Sequence, residues 1–381
     1  LLEELEENGT APGAIADRVW KLLTPVEKAP PEVPEKAPEA RTYKRLSDIT
    51  RRVISDAKWR QAKPGAITGI PTGIIEVDET TLGFQPGEVV FVGARTGIGK
   101  TNLAINWLKV ITGEYKIPAL LVNMEMNELA IVRRFLSAMS GIWGRTMRDG
   151  TINEVQLAKL RNTADRIADY PLYIADQKSG IRTVQQIRQL YTEMKAAGID
   201  IKVIVIDHLH LLKHNPEGGG NRYSELTEIT GSVRRMAAEL EVPVIALCQM
   251  SRPAKATKYS KNNKPAMSDL RDSGSLEQDA DHIILIHYPH SDDLEVSEHE
   301  AWLLIKKNRE GEPKDIEVFY DRKQSLFQSV NQPTRRVEIL KGDPPPPDTE
   351  KGDELLAETR PYTREMCIER AQRLKTQPQE E

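Results

Sequence analysis

A glycine-rich turn near residue 95 separates an apolar stretch from one whose apolar residues have helical spacing. Backbone N–H groups of such a turn, with the positive end of the following helix, bind phosphate oxygens. Lys100 is placed to reach the β- and γ-phosphates, and the Thr101 hydroxyl to bind Mg²⁺. The sequence therefore predicts a P-loop, with a glycine-rich turn that binds no ligand as the alternative. The expected nucleotide contacts are Gly93, Ala94, Arg95, Thr96, Gly97, Ile98, Gly99, Lys100 and Thr101.

Two further apolar runs end in a carboxylate, one at Asp207 and one at Glu125. In a sheet that carries a P-loop, ligand groups lie at the carboxyl ends of the strands. Asp207 is therefore expected to hold Mg²⁺, directly or through water, opposite Thr101. Glu125 is the candidate base that orients the attacking water, and a capping role at the start of the next helix is the alternative.

Two polar side chains are expected near the same site. Arg134 lies nine residues after Glu125 and either contacts phosphate, pairs with an acid or lies at the solvated surface. Gln249 ends an apolar run, which brings its amide to the same edge of the sheet. We expect Gln249 to sense the γ-phosphate.

The segment after Gln249 is basic, with one aromatic residue and no acidic one, and it includes Arg252, Lys255 and Lys258. Basic loops with an aromatic residue suit a nucleic-acid backbone, although many charge runs are only solvated loops. The net charge of −4 gives the 381-residue chain no general attraction to nucleic acid. Any such binding therefore has to come from local patches.

The composition is that of a soluble globular protein with polar tails, at 39% hydrophobic and 29% charged residues. The chain has two cysteines and seven histidines, and the histidines are not spaced as metal ligands beside the cysteines. This pattern indicates neither a disulfide framework nor a metal site, and it fits a reducing cytosol. A metal role for His208 and His210 is disfavoured. The sequence contains no run of 18 apolar residues, so no membrane span is predicted, and a cytoplasmic protein is expected.

Residues 68–86 are predicted as a turn-rich entry. After it, strands and helices alternate, and the strands are continuously apolar, which predicts a parallel sheet covered by helices. Besides the strand before the P-loop, strands are expected at 118–125, 171–176, 202–212, 242–250, 282–288, 301–307 and 315–320. Upstream, 43–60 has helical spacing, with Leu46, Ile49, Val53 and Ala57 on one face. Because this helix follows a Pro-rich linker, it is expected to dock either on its own domain or on a neighbouring subunit.

Five segments follow one another along the chain: the P-loop, Asn123-Met-Glu-Met126, Val205-Ile-Asp207, 243–249 and the long motif 267–281. This series resembles the RecA-like motor domain of DnaB-type replicative helicases over residues 43–327. The resemblance implies an α/β, RecA-like P-loop NTPase, with a mainly parallel central sheet flanked by helices and preceded by a linker helix that docks on the neighbouring subunit.

The resemblance also implies a homohexameric ring that moves along single-stranded DNA and unwinds forked duplex DNA by ATP hydrolysis with Mg²⁺. It assigns nucleotide and Mg²⁺ binding to Lys100, Thr101 and Asp207, catalysis to Glu125 and sensing to Gln249. It implies that Lys307 and Arg309 reach into the next subunit's nucleotide site. It places DNA-backbone contacts in the loop that holds Arg271, Asp272 and Gly274.

The resemblance and the composition together predict the domain boundaries. Residues 1–42 are predicted as a partial N-terminal helix and Pro-rich linker, 43–62 as the linker helix and 63–330 as the motor. Residues 331–381 are predicted from composition as a Pro-rich polar tail, which has no recognised counterpart in the family. The family's helical N-terminal domain is expected to be absent or reduced to residues 1–23. Primase and a helicase loader are possible partners, and the bacterial nucleoid or a phage-infected cell is the expected location. Asp272 stands where the family usually has Glu, and His208 and His210 replace its more usual Tyr and Gln.

A second function remains open from sequence: a RecA-like, ATP-gated protein that binds single-stranded DNA for recombination or loading without unwinding. The 267–281 motif and the Lys307–Arg309 pair favour the helicase. A regulatory relative with weakened hydrolysis is a third reading, against which the intact Lys100, Glu125 and Asp207 count.

Overall fold

The computed structural model describes residues 43, 45–61, 65–214, 222–250, 264–270, 273–291 and 294–330. Nine strands in this part of the chain form one sheet. They are β1 (Val89–Ala94), β2 (Ala119–Asn123), β3 (Leu172–Ala175), β4 (Val203–Asp207), β5 (Val244–Gln249), β6 (His282–His287), β7 (Glu300–Asn308), β8 (Lys314–Asp321) and β9 (Leu326–Ser329). The helices are α1 (Leu46–Gln61), α2 (Ile75–Thr81), α3 (Lys100–Gly113), α4 (Glu128–Ser140), α5 (Gly144–Asp149), α6 (Glu154–Ile167), α7 (Val184–Ala196), α8 (Arg222–Leu240) and α9 (Ser273–Asp279).

The sheet is mainly parallel. Its strand order is β3-β2-β4-β5-β1-β6-β7-β8-β9. The first six strands in that order run parallel, and β7, β8 and β9 extend the sheet in antiparallel fashion. The expectation of a parallel sheet is thus confirmed for the part that carries the P-loop. The predicted strands β7 and β8 run antiparallel instead, so the sheet is mainly rather than wholly parallel, as the resemblance implies, and β9 was not predicted.

The core fills both faces of the sheet. Every residue of β1 is buried. Val90 and Val92 belong to the hydrophobic cluster that also contains α3, whereas Val89 and Phe91 belong to the cluster that contains α7 and α8. Because side chains alternate across a strand, two buried faces require a continuous apolar run rather than an alternating one. The polar residues of the predicted site begin where this buried apolar run ends.

One predicted strand is too long. The apolar run at 202–212 was expected to be a single strand, but β4 ends at Asp207 and Leu209–Leu211 form a turn of 3₁₀ helix. Apolar periodicity cannot separate these states over so few residues. The early end places the carboxylate of Asp207 at the sheet edge rather than in its middle.

Helix α1 belongs to a unit separate from the one that contains residues 65–330. All four residues of its predicted apolar face are exposed, with Leu46 at 79% and Val53 at 60%. None of the described helices is long and apolar enough to cross a bilayer. The predictions for 1–42 and 331–381 lie outside the described residues.

Candidate nucleotide site

The P-loop turn joins β1 to α3. Gly99 precedes α3 with φ 121°, a backbone conformation that favours glycine, and a Cβ there would lie 2.4 Å from the Tyr320 hydroxyl oxygen. α3 has no side-chain cap at its N-terminus. Its first N–H groups therefore face the cleft, where an anion would be stabilised by the helix dipole.

Thr101 and Asp207 meet across the sheet edge as predicted. Thr101 Oγ1 donates to Asp207 Oδ2 over 2.7 Å. Asp207 is 1% exposed, and burial raises the pKa of its carboxyl, with the Thr101 hydrogen bond opposing the rise. Its Oδ1 atom is buried and has no hydrogen-bond partner among the described residues. A buried carboxylate oxygen of this kind, beside a threonine hydroxyl, is a donor set that suits a hard divalent cation.

Asn123 joins the Asp207 carboxylate to the chain that carries Glu125. It is fully buried at the end of β2, opposite Asp207 in the sheet register. Its Nδ2 donates to Asp207 Oδ2 over 3.0 Å, and its Oδ1 accepts from the backbone N–H groups of Glu125 (3.1 Å) and Met126 (2.7 Å). No role for Asn123 was predicted from the sequence. The rule applied to Asp207, a polar residue ending a buried strand, locates Asn123 at the carboxyl end of β2, but its role depends on the register that pairs it with Asp207.

Glu125 faces the cleft. Its carboxylate lies 3.7 Å from His208 Nε2. The alternative role in helix capping is wrong, because the cap of α4 is Asn127, whose side chain accepts from the Ala130 N–H over 2.9 Å. The role of Glu125 as a base stays a prediction.

The cleft brings together most of the predicted nucleotide contacts. Burial lowers the pKa of Lys100, and its ammonium donates to the Ala94 carbonyl over 3.3 Å. Arg134 is among the lining residues. The full lining is Thr96, Gly97, Gly99, Lys100, Thr101, Asn102, Glu125, Met126, Arg134, His208, Gln249, Tyr320, Arg322 and Ser325. Arg95 and Ile98, also predicted contacts, instead line a small neighbouring cavity.

Gly93 has a packing role. It lies within β1, and a Cβ there would lie 2.4 Å from a methyl carbon of Leu270 and 2.8 Å from one of Leu285. This contact joins the strand of the P-loop to the residue just before Arg271.

Tyr320 and Arg322 come from the end of β8 and the turn to β9, which the sequence analysis did not connect with the P-loop. Asn102 in α3 donates to the Tyr320 hydroxyl over 2.9 Å, and Arg322 Nη2 donates to the Gly97 carbonyl over 3.1 Å. No local sequence signal places this turn there. Its position follows from the antiparallel extension of the sheet.

Gln249 is attached to the P-loop turn. Its Nε2 donates to Thr96 Oγ1 over 2.8 Å, and its backbone N–H donates to His210 Nδ1 over 3.4 Å. A change at the turn can therefore reach the end of β5, after which the basic segment begins. Its sensing role stays a prediction.

Lys307 and Arg309 lie beside the amino-terminal ends of the parallel strands, whereas the P-loop follows the carboxyl end of β1. Lys307 pairs with Ile283 near the start of β6, which runs parallel to β1. β1 has six residues, so its two ends are about 17 Å apart. Arg309 therefore lies far from the phosphate-binding turn of its own subunit.

Most of the predicted DNA contacts, namely Arg252, Lys255, Lys258, Arg271 and Asp272, lie outside the described residues. Gly274 is exposed and belongs to the first turn of α9, so its expected place in a loop is wrong.

A comparison with protein families identifies the chain. The profile described as "DnaB-like helicase C terminal domain" matches residues 69–329. The chain belongs to this family. The match covers the whole sheet, together with α2 to α9, and confirms the family predicted from the motifs.

Individual proteins agree with this assignment. The chain is 33% identical to the replicative DNA helicase DnaB of Leifsonia xyli subsp. xyli over 290 residues, which are 76% of this chain and 62% of that protein. It is 30% identical to the replicative DNA helicase DnaC of Bacillus subtilis over 317 residues, 83% of this chain and 68% of that protein. The chain thus spans about three-fifths to two-thirds of the length of these relatives.

Two solved structures share the fold. One of them, an ATPase domain, superposes with a TM-score of 0.68 at 25% identity, over 74% of this chain and 99% of that one. The other, a DnaB-like replicative helicase described with its interactions with primase, gives 0.67 at 25% identity, over 73% of this chain and 66% of that one. The predicted RecA-like fold class is confirmed.

Proposed function

We propose that this chain is the motor part of an ATP-driven replicative DNA helicase. The observation that carries the proposal is the cleft in which Lys100, Thr101, Asp207 and Glu125 come together at the carboxyl edge of a parallel sheet. The family assignment supports DNA as the substrate on which hydrolysis does work.

Each group of residues in the cleft has a separate role in hydrolysis. Backbone N–H groups of the turn and Lys100 bind the phosphates and stabilise negative charge as it moves. Thr101 and Asp207 would hold Mg²⁺, which neutralises charge on the phosphate oxygens when it is bound. Glu125 accepts a hydrogen bond from the attacking water and orients it. Asn123 fixes the backbone that carries Glu125.

The second half of each site is proposed to come from a neighbouring copy in a hexameric ring. Lys307 and Arg309 lie away from their own P-loop, which supports the proposal that they act on another subunit's nucleotide. A cation supplied in this way stabilises charge on the transferring phosphoryl group and makes hydrolysis depend on the ring. The exposed apolar face of α1 is proposed to dock on the adjacent subunit.

DNA contacts are proposed to be largely independent of sequence, through phosphate, from the segments around Arg252 and Arg271. Counterion release then makes the affinity for single-stranded DNA fall steeply with salt, by about 10²-fold or more from 50 to 200 mM if several phosphates are contacted. An affinity that does not change over this range would refute backbone tracking. Primase is a proposed partner, because a similar solved structure is described with it.

Unwinding of a forked DNA duplex with ATP and Mg²⁺ tests the proposal. The wild-type chain is expected to separate the strands, and Lys100→Ala is expected not to. ATP turnover that DNA stimulates, with no strand separation, would instead support the single-strand binding protein.

A further inference from the structure

A buried carboxylate fixes Arg309 within its own subunit. The side chain of Asp281 is 4% exposed and that of Arg309 is 59% exposed. Arg309 Nη1 donates to Asp281 Oδ1 over 3.0 Å, and the Arg309 backbone N–H donates to the Asp281 carbonyl over 3.0 Å. One residue thus holds both the backbone and the guanidinium of Arg309.

The other oxygen of Asp281 contacts two further elements. Oδ2 accepts from the Val89 N–H over 2.9 Å, where β1 begins, and from the guanidinium of Arg234 in α8. Burial alone would raise the pKa of Asp281, but hydrogen bonds from Val89, Arg234 and Arg309 outweigh it and hold the pKa below its usual value. The carboxylate is therefore ionised at neutral pH and anchored on rigid elements.

We propose that Asp281 is a positioning residue that aims Arg309 at the nucleotide of the neighbouring subunit. The inference rests on the ring-shaped motor proposed above. A guanidinium carries five donors in a planar fork, so a buried anion can fix one nitrogen while the exposed remainder faces outward. Without the anion, the side chain would sample many rotamers, and few of them would meet a phosphate.

Lys307 is held by a different contact. Its Nζ donates to the backbone carbonyl of Glu277, in α9, over 2.6 Å. A side-chain substitution at Asp281 leaves this contact in place. The loss of Asp281 is therefore expected to act through Arg309.

Complementation between subunits tests the proposal. Asp281→Asn keeps the shape of the side chain and an acceptor for Val89, and it is expected to lower ATP turnover about tenfold or more. The variant is then co-expressed with Lys100→Ala, under separate tags, and mixed rings are purified through both tags. Arg309→Ala with Lys100→Ala is the reference pair. Asp315→Asn is the matched control, because Asp315 also binds two cations, Lys264 and Lys306, but does not contact Arg309.

A Lys100→Ala subunit has a defective P-loop but an intact Asp281 and Arg309, so it can complete the site of an Asp281→Asn neighbour. In randomly mixed rings about one interface in four has both intact halves, so turnover is expected to recover to about a quarter of the wild-type rate. Asp315→Asn alone is expected to keep wild-type turnover.

Recovery in both mixtures supports the proposal. Recovery only with Arg309→Ala would mean that Asp281 acts within its own subunit, through β1, and would overturn it. No recovery with Arg309→Ala would remove the neighbour's contribution from the proposed function, and the inference with it. If Asp281→Asn does not assemble, Asp281→Glu, which keeps the charge but displaces it, is expected to follow the same pattern.

Discussion

Replacing Asn123 with alanine tests how β2 positions the proposed base. The side chain is fully buried, donates to Asp207, and accepts from the backbone of Glu125 and Met126. A net hydrogen bond contributes about 1 kcal/mol, and one to a charged group about 1.5–3 kcal/mol. Since water can reach the two partly buried backbone groups, we expect the free energy of unfolding to fall by about 2–4 kcal/mol.

The activity of Asn123→Ala is expected to fall further than its stability requires. ATP affinity should stay within a few-fold of wild type, because the phosphate-binding turn does not contact Asn123, whereas turnover should fall about tenfold or more as Glu125 loses its anchor. Urea unfolding, nucleotide titration and steady-state hydrolysis measure the three quantities.

Asn153→Ala is the matched control for this experiment. It removes an asparagine whose side chain caps α6 over 2.8 Å, away from the cleft. Asn153→Ala should lower the free energy of unfolding by about 1 kcal/mol and leave ATP turnover unchanged. An Asn123→Ala protein with wild-type turnover and less than about 0.5 kcal/mol of lost stability would refute the reasoning.

Two further predictions concern the P-loop and a buried acid. Gly99→Ala places a Cβ 2.4 Å from the Tyr320 hydroxyl oxygen at φ 121°, so a fluorescent-nucleotide titration should show at least about tenfold weaker binding. Gly150→Ala is the control, because Gly150 has φ 75° and no atom lies within 4 Å of the new Cβ. It should lower the free energy of unfolding by about 1 kcal/mol without weakening nucleotide binding. Burial raises the pKa of Asp78 from 3.8 to about 6, despite hydrogen bonds from Thr72 and Gly73 that oppose it. Because the pKa of Asp78 is higher in the folded protein than in the unfolded chain, the protonated carboxyl favours the folded state. This contribution to the free energy of unfolding is complete below pH 3.8 and is lost as the pH rises through 6. The free energy of unfolding should therefore fall by about 3 kcal/mol relative to that of Asp78→Asn. Urea unfolding midpoints of the wild type and of Asp78→Asn, measured from pH 4 to 7, test this prediction. It would be contradicted if the two midpoints changed with pH in the same way.

The sequence was informative where one local pattern carries one structural role. The turn before Lys100 and the carboxylate ending β4 could both be located, because an apolar run followed by a polar group marks a strand end at the ligand edge. The same rule reached the end of β2 but gave Asn123 no role, because that role depends on the register that pairs it with Asp207. Arg322 could not be placed, because its turn approaches the P-loop through three antiparallel strands.

The contact between Asp281 and Arg309 shows the same limit. Both residues lie in or near motifs that the sequence analysis identified, but nothing in their spacing of 28 residues predicts an ion pair. The pair forms because β7 returns antiparallel beside β6 and brings the residue after its end to the residue before β6. Such contacts follow from topology, and local periodicity does not contain them.

Strand separation by Glu125→Gln tests most directly whether hydrolysis in this cleft moves DNA. The amide keeps the size of the side chain but cannot accept a proton, so the variant should bind ATP and single-stranded DNA as the wild type does. ATP turnover is expected to fall by about 10²-fold or more, and a forked duplex should stay paired. A Glu125→Gln protein that separates the strands at the wild-type rate would show that hydrolysis oriented by Glu125 does not drive the motor.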